Sequence, residues 1–354
     1  MLNSLDNLSL IIPSHERKEL LNRSIDFWSA AGVKNIIVLD SSEKINKYVS
    51  NKVKTYIHLP NVGFIDKFKF SIDNIKTDYV LVCADDDYVS TESIIECIKF
   101  LNNNLSFVAA HGHYCDFRYV GKSNSIRWQP KYSYVSPSLE FEDPIDRLGI
   151  HLNYYTPILY SVIKKETFVN SYAELAIYKK NIQIEYTPFY EIFWSSMQVL
   201  KGKVKRIDSL YSLRRYMPNS AGNYYLQYYE IYLNDNFYNC YSLYKKFIEN
   251  NYSQGGRKNQ RHKDIDFFFN NFFRARLNVS KKHYFPVKNN NVNKSNENYK
   301  SLKLYYIIKR YFLFIKTIYL SFKVQNNLNI HVPKLWWFKI YKHHSDIKNI
   351  SKFL

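Results

Sequence analysis

An α/β fold with a mostly parallel sheet flanked by helices is the architecture the sequence predicts, and three observations predict it. Short apolar runs alternate with segments of helical periodicity across residues 8–101. Two of those runs end in aspartates, where an open sheet of this kind binds ligands. With 46% apolar residues in 354 positions, the chain also has enough apolar side chain for a substantial core.

The first run, LSLIIP (8–13), reads as a buried strand closed by Pro13. A helix is expected after it, capped by Ser14, with Leu20, Leu21, Ile25 and Trp28 on one face and Gly32 as its stop. KNIIVLD (34–40) is the second strand, so the segment between the two is the crossover of a βαβ unit. TYIHL (55–59) reads as a strand, FIDKFKFSIDNI (64–75) as a helix, and YVLVCA (79–84) as another buried strand. This alternation implies a sheet with both faces covered. Beyond it, ESIIECIKFL (92–101) is helical and SFVAAHGHYCDF (106–117) extended. Residues 121–150 read as a long polar connection, 153–165 as strand, and 188–208 as a helix stopped near Gly202 and followed by a strand. From about residue 225 the chain becomes Tyr-, Phe-, Asn- and Lys-rich with a helical reading, which places a domain boundary between 1–224 and 225–354.

Charge is divided along the same line. Residues 240–354 hold 23 Lys and Arg against 5 Asp and Glu, whereas residues 1–239 hold 27 against 26. The four cysteines form neither a C-x-x-C pair nor a disulfide framework and no secretory signal opens the chain, so a reduced, cytoplasmic protein is expected. The most apolar stretch, 304–322, is broken by Lys309, Arg310 and Lys316 and does not make a spanning segment.

Against that background, YVLVCADDDYVS (79–90) runs a buried strand into Asp85, Asp86 and Asp87. Like charges ~5 Å apart repel by roughly 3 kcal/mol at an effective dielectric near 20, so three adjacent carboxylates need a counter-charge. A divalent cation with oxygen ligands, Mg²⁺ or Mn²⁺, supplies one, and alternation along an extended chain would point Asp85 and Asp87 to the same side. The bland alternative is a solvated acidic turn that caps the helix beginning near Ser90. D-x-D-x-V also matches the phosphatase motif of the haloacid dehalogenases. That family opens with the motif and carries a downstream Gly-Asp loop, whereas here a βαβ unit precedes it and no Gly-Asp pair exists.

Several segments in order resemble another family. LSLIIPSHERKELLNRSIDFW, IIVLDSSE, NVGFIDKFKFSI, YVLVCADDD and YEIFWSSMQVLKGKVKRIDSLYSLRRY are similar to the successive elements of family 2-like glycosyltransferases of the GT-A, Rossmann-like fold. The resemblance covers roughly residues 8–217. It implies transfer of a sugar from a nucleoside diphosphate, with UDP the expected nucleotide. Pro13, Ser14, Arg17, Asp40, Lys67, Asp85 and Asp86 would then meet the nucleotide sugar, and Asp87 with Asp85 would hold Mn²⁺ or Mg²⁺. Glu191 stands where the family has its catalytic base, although the usual acidic pair is here Tyr190-Glu191. A carboxylate at a helix start, stabilising the helix dipole, is the structural alternative for Glu191. Arg214 and Arg215 are candidate diphosphate contacts and His113 a candidate acceptor contact, each with an ordinary surface or strand role as its alternative. A scaffold that keeps the nucleotide fold without catalysis is a third functional class.

In the C-terminal third, Lys309, Lys316 and Lys323 recur every seventh residue among Tyr, Phe, Ile and Leu, and VPKLWWFKIYKHH (332–344) sets two tryptophans between lysines. Such segments suit an anionic membrane surface, through residues 300–354, or a helical subdomain or homo-oligomer contact. No recognised nucleic-acid motif accompanies the charge, so nucleic acid is not an expected partner. A glycan or lipid-linked acceptor at the inner face of the cytoplasmic membrane, as in bacterial capsule or lipopolysaccharide synthesis, fits these readings.

Overall fold

The computed structural model describes residues 4–120, 125–130, 137–155, 157–181, 187–215, 235–252, 263–273 and 275. The expected βαβ organisation is present. Strands β1 (Leu8–Ser14), β2 (Asn35–Asp40), β3 (Thr55–His58) and β4 (Tyr79–Val82) run parallel in the spatial order β3-β2-β1-β4. Helix α1 (Lys18–Ala30) buries Leu21, Ile25 and Trp28, as its periodicity requires. It ends at Gly32, whose φ of +81° lies in the left-handed region that glycine enters without Cβ strain. Ser14 is not its cap: it is the last residue of β1, and Arg17 occupies the N-cap position.

The sheet continues from β4 through β8 (Val162–Lys164), β6 (Phe107–Val120) and β9 (Lys203–Arg215) to β5 (Tyr88–Val89), with β7 (Ser125–Pro130) paired to β6. Strand β8 runs antiparallel to both β4 and β6, whereas β6 and β9 are parallel. At Gly112 a Cβ would stand 2.4 Å from the Ser209 carbonyl oxygen, so this close approach of β6 to β9 requires glycine.

Several expected elements take other forms. FIDKFKFSIDNI folds as a 3-10 helix over Asp66–Asn74. The strand expected over 153–165 shrinks to β8, preceded by a 3-10 turn, Ile158–Tyr160. The polar connection of 121–150 contains β7 and helix α4 (Pro144–Asn153), whose start is marked by Asp143 accepting from the Ile145 N–H and by Pro144 in the first turn. Three further helices flank the sheet: α3 (Thr91–Asn103), α5 (Lys165–Lys180) and α6 (Thr187–Lys201). A four-residue helix, α2, covers Lys47–Ser50.

Alternation along the strands divides the core in two. Leu10 and Ile12 of β1, with Val38 and Leu81, face the side covered by α1 and α3. Ile11, with Ile37, Val80 and Val82, faces the side covered by α4, α5 and α6. The second side is aromatic. Trp194 of α6 lies 5.0 Å from Phe68, 5.2 Å from Phe168 and 5.4 Å from Tyr172, ring centre to ring centre, and its indole N–H donates to Ser171 Oγ at 2.9 Å. Phe193 stacks on Tyr178 at 4.0 Å and meets Tyr244 at 4.6 Å. Tyr244 belongs to α7 (Asp235–Tyr252), and both α7 and a helix over 263–273 bury apolar residues in this same core. The described part of the C-terminal region is therefore packed into the fold rather than held apart from it. Buried Arg147 ties α4 to the end of α6 by donating from Nε to the Val199 carbonyl and from Nη2 to that of Leu200, each at 3.0 Å.

The basic segments of 300–354, and with them the expected membrane or oligomer contact, lie outside the described residues. Among the described residues no helix is long and apolar enough to cross a membrane.

Candidate active site

Register alone assembles one side of the candidate site. Pro13 pairs with Leu39 and Ser14 with Asp40, while Ile11 pairs with Val82 so that β4 delivers Asp85 beside the end of β1. The Ser14 hydroxyl donates to Asp85 Oδ2 at 2.7 Å. Asp40 is fully buried, accepting from the Ser42 N–H at 2.9 Å and the Ser42 hydroxyl at 2.5 Å on one oxygen, and from the Tyr56 hydroxyl at 2.6 Å on the other. The loop between β1 and α1 carries Glu16 at φ +52°, a left-handed conformation uncommon for a non-glycine residue. The Glu16 N–H donates to Ser42 Oγ, and Glu16 Oε1 accepts from the Glu43 N–H, which holds the turn that presents Arg17.

Arg17 bridges two of the three aspartates through one guanidinium nitrogen, 3.1 Å from Asp85 Oδ1 and 2.9 Å from Asp86 Oδ2. The third is turned elsewhere. Asp87 accepts from the Arg215 N–H at 3.0 Å and stands 3.3 Å from Arg214 Nε. The expected pairing of Asp85 with Asp87 on one side is thus replaced by a pairing of Asp85 with Asp86. Strict alternation holds only in extended chain, and here the Asp87 N–H closes a turn onto the Ala84 carbonyl at 3.1 Å. Nor is the turn solvated: Asp85 is 2% exposed, and Asp86 and Asp87 are 7% exposed. Ser90, not an aspartate, caps α3, accepting from the Ser93 N–H.

Lys67 is buried beneath this loop, its ammonium donating to the Ser14 carbonyl at 2.6 Å, so it is no surface lysine. Burial lowers its pKa to about 8 against the opposing pull of Asp40 and Asp85. The carboxyls move the other way. Burial, reinforced by Asp86, raises Asp85 to about 6 despite Ser14 and Arg17. Burial also raises Asp87 to about 7, with Asp86 and Asp116 adding to the rise and Arg214 opposing it.

Asp116 was not visible as a site residue in the sequence. It is buried on β6 opposite Arg214 of β9, and only that long-range pairing brings it near Asp87. Tyr160, on the turn before β8, is a second addition, with the Arg214 guanidinium carbon 5.3 Å from its ring centre. Glu191 lies in the second turn of α6 rather than at its start, so the helix-dipole account of this carboxylate loses its basis. It is close enough to Tyr160 to act on the phenol's ionisation. His113 has its Nε2 2.7 Å from Asp208 Oδ1.

Three buried carboxyls, two of them still raised with both arginines in place, make an oxygen donor set short of positive charge. Their chemistry fits a hard divalent cation that completes its shell with water and phosphate. Among the described residues no group of three or more His, Cys, Asp or Glu forms a ready-made metal cage.

Residues 9–162 match the family model described as glycosyl transferase family 2. No curated protein matches the chain. Among solved structures the chain is similar to S. aureus TarS, at 14% identity over 70% of this chain and a TM-score of 0.40, and it spans 44% of that protein's length. It is also similar to S. aureus TarS 1-349 in complex with UDP, at 15% identity over 72% of this chain and 73% of that one, with a TM-score of 0.41. The family model spans β1 to the start of β8, so the part of the chain that is similar to glycosyl transferase family 2 is the stretch that supplies Ser14, Arg17, Asp40, Lys67 and the three aspartates.

Proposed function

We propose that the protein transfers a sugar from a nucleoside diphosphate, with UDP the nucleotide to test first, to a hydroxyl of a glycan or lipid-linked acceptor with inversion at the anomeric carbon. The observation that carries this reading is the convergence of Ser14 and Arg17 on the aspartates after β4, with Lys67 buried against the Ser14 carbonyl, within the stretch matched to the family.

In this mechanism Asp40, held by Ser42 and Tyr56, accepts from the nucleobase with its remaining lone pairs. Ser14, Arg17 and Asp86 position the nucleotide, and Lys67, Arg214 and Arg215 supply positive charge toward the diphosphate. Asp87 and Asp85 would hold Mn²⁺ or Mg²⁺ only by giving up their present partners, Arg214 for Asp87 and Arg17 for Asp85, and the ion would supply Lewis-acid stabilisation of charge on the leaving diphosphate. On the opposite side of the anomeric carbon, Glu191 takes the proton of the attacking hydroxyl as general base. A surface polysaccharide acceptor and a peripheral position at the inner face of the cytoplasmic membrane belong to the same proposal, with residues 300–354 as the contact.

A panel of nucleotide sugars, with and without Mn²⁺, tests it by thermal stabilisation and by release of free nucleotide. Metal-dependent stabilisation by one nucleotide class is the expected result. No response to any nucleotide sinks the reading, and phosphate release from a simple monoester would put the haloacid dehalogenase chemistry in its place. Co-sedimentation with anionic liposomes, for the chain with and without residues 300–354, tests the membrane contact; equal binding by the two forms removes it.

A further inference from the structure

If Asp87 is to hold a divalent cation it must give up Arg214, and the sheet decides where that guanidinium can go. Strand β9 lies between β5 and β6. On one side the antiparallel register sets Val89 opposite Ser212 and Tyr88 opposite Leu213, so the next pair is Asp87 with Arg214, whose carboxylate and Nε stand 3.3 Å apart. On the other side the parallel register sets Asp116 opposite that same Arg214. Paired residues project from one face of a sheet whose strands lie about 4.8 Å apart. The neighbours show which face this is. Cys115, Phe117 and Leu213, adjacent along the two strands, belong to the core covered by α1 and α3, whereas the Arg214 guanidinium lies over Tyr160, which packs against the opposite core. Asp87, Arg214 and Asp116 therefore form a carboxylate–guanidinium–carboxylate row across three strands, with both carboxylates buried.

We propose that Asp116 is a positioning residue for Arg214, receiving its guanidinium when Asp87 turns to a divalent cation, so that the cation and Arg214 can occupy the site together. The inference rests on the metal-dependent glycosyltransferase reading and adds a residue that the family resemblance did not supply. With Asp87 as the single carboxylate in reach, Arg214 and the cation would compete for it, and whichever charge lost would be left half-buried and unpaired. A second carboxylate in register removes the competition. The planar guanidinium carries five N–H donors and can serve a carboxylate on either side, so a change of side-chain rotamer within the row transfers it from Asp87 to Asp116. Arg214 then stays beside the site, where its charge is available to a diphosphate, and both buried carboxylates remain neutralised.

The test is a double-mutant cycle on Mn²⁺ affinity, using the full chain and its Asp116→Asn, Arg214→Gln and doubly substituted forms. Mn²⁺ alone is the probe, with the free ion read by electron paramagnetic resonance and melting temperature followed as a control for folding. Asp116→Asn should weaken Mn²⁺ binding by about fivefold or more, because Arg214 is then left on Asp87. Arg214→Gln should tighten binding, and in that background Asp116→Asn should change the Kd by less than about twofold. Equal losses in the two backgrounds overturn the proposal, since Asp116 would then act on the ion directly. An unchanged affinity in Asp116→Asn overturns it too, as does the absence of any gain in Arg214→Gln, which requires no Asp116 variant to fold. The parent chain's affinity for UDP without metal reports on the nucleotide reading separately. A chain that binds UDP but no Mn²⁺ loses this proposal and keeps that reading, whereas a chain that binds neither loses both.

Discussion

The aromatic seam under α6 and the acidic turn after β4 are equally hidden from solvent and opposite in character. Trp194 and Phe193 are 0% and 1% exposed, ringed by aromatic neighbours, and the one polar atom of Trp194 has its partner in Ser171. Asp85, Asp86 and Asp87 are also buried, yet two of them are held at raised pKa beside arginines that do not fully neutralise them. Burial in the first case stabilises the fold; in the second it concentrates charge at a cost in stability. Substitutions in the two regions should therefore separate stability from activity.

The largest effect is expected in the seam. Trp194→Ala removes a side chain touching three aromatic rings and should lower unfolding free energy by about 3–5 kcal/mol, measured by urea titration. A loss below about 1 kcal/mol would mean that α6 is not anchored there. Next is Asp87→Asn, which keeps the shape but removes the charge. Turnover should fall by about 10²-fold or more while the melting temperature is unchanged or rises. Parallel losses of stability and activity would make Asp87 a structural residue of the β5–β9 junction.

Lys67→Met sharpens the contrast, because it should weaken nucleotide binding and stabilise the protein by about 1–3 kcal/mol at pH 7. The sign follows from proton counting. The folded pKa of about 8 is below the unfolded value of 10.5, so between these pH values the unfolded chain binds more protons than the folded one. The parent therefore gains stability as pH rises from about 8 to 10.5, and the variant's advantage should shrink over that window. An advantage independent of pH would show that Lys67 is not buried as a charge. The smallest effect belongs to neither region: Ser90→Ala removes the cap of α3 and should cost about 1 kcal/mol with donor binding retained.

The contrast also explains what could be read in advance. The strands β1, β2 and β4 and the helix α1 were legible because local apolar runs and a 3.6-residue period need no partner to be recognised. Helix α4 carried its own start signal in Asp143-Pro144, but the polar look of 121–150 obscured it. The short β8 was misjudged in extent, since a three-residue strand between a 3-10 turn and a helix has too little periodicity to bound it. At the candidate site, motifs singled out Ser14, Arg17, Asp40, Lys67 and Asp85–Asp87 as expectations, whereas the pairings among them had no signal in the sequence.

By itself, then, the sequence determined an α/β sheet whose parallel strands end in aspartates, and the separation of a nearly neutral N-terminal part from a basic C-terminal third. Those properties are local or additive along the chain. Tertiary structure decided that Arg17 joins Asp85 to Asp86, that Asp87 turns to Arg214 and Arg215, and that Asp116 and Tyr160 enter the site. These depend on a tight turn at Ala84–Asp87 and on strands β5, β6 and β9 meeting across long stretches of sequence, where no local pattern specifies which residues will face one another.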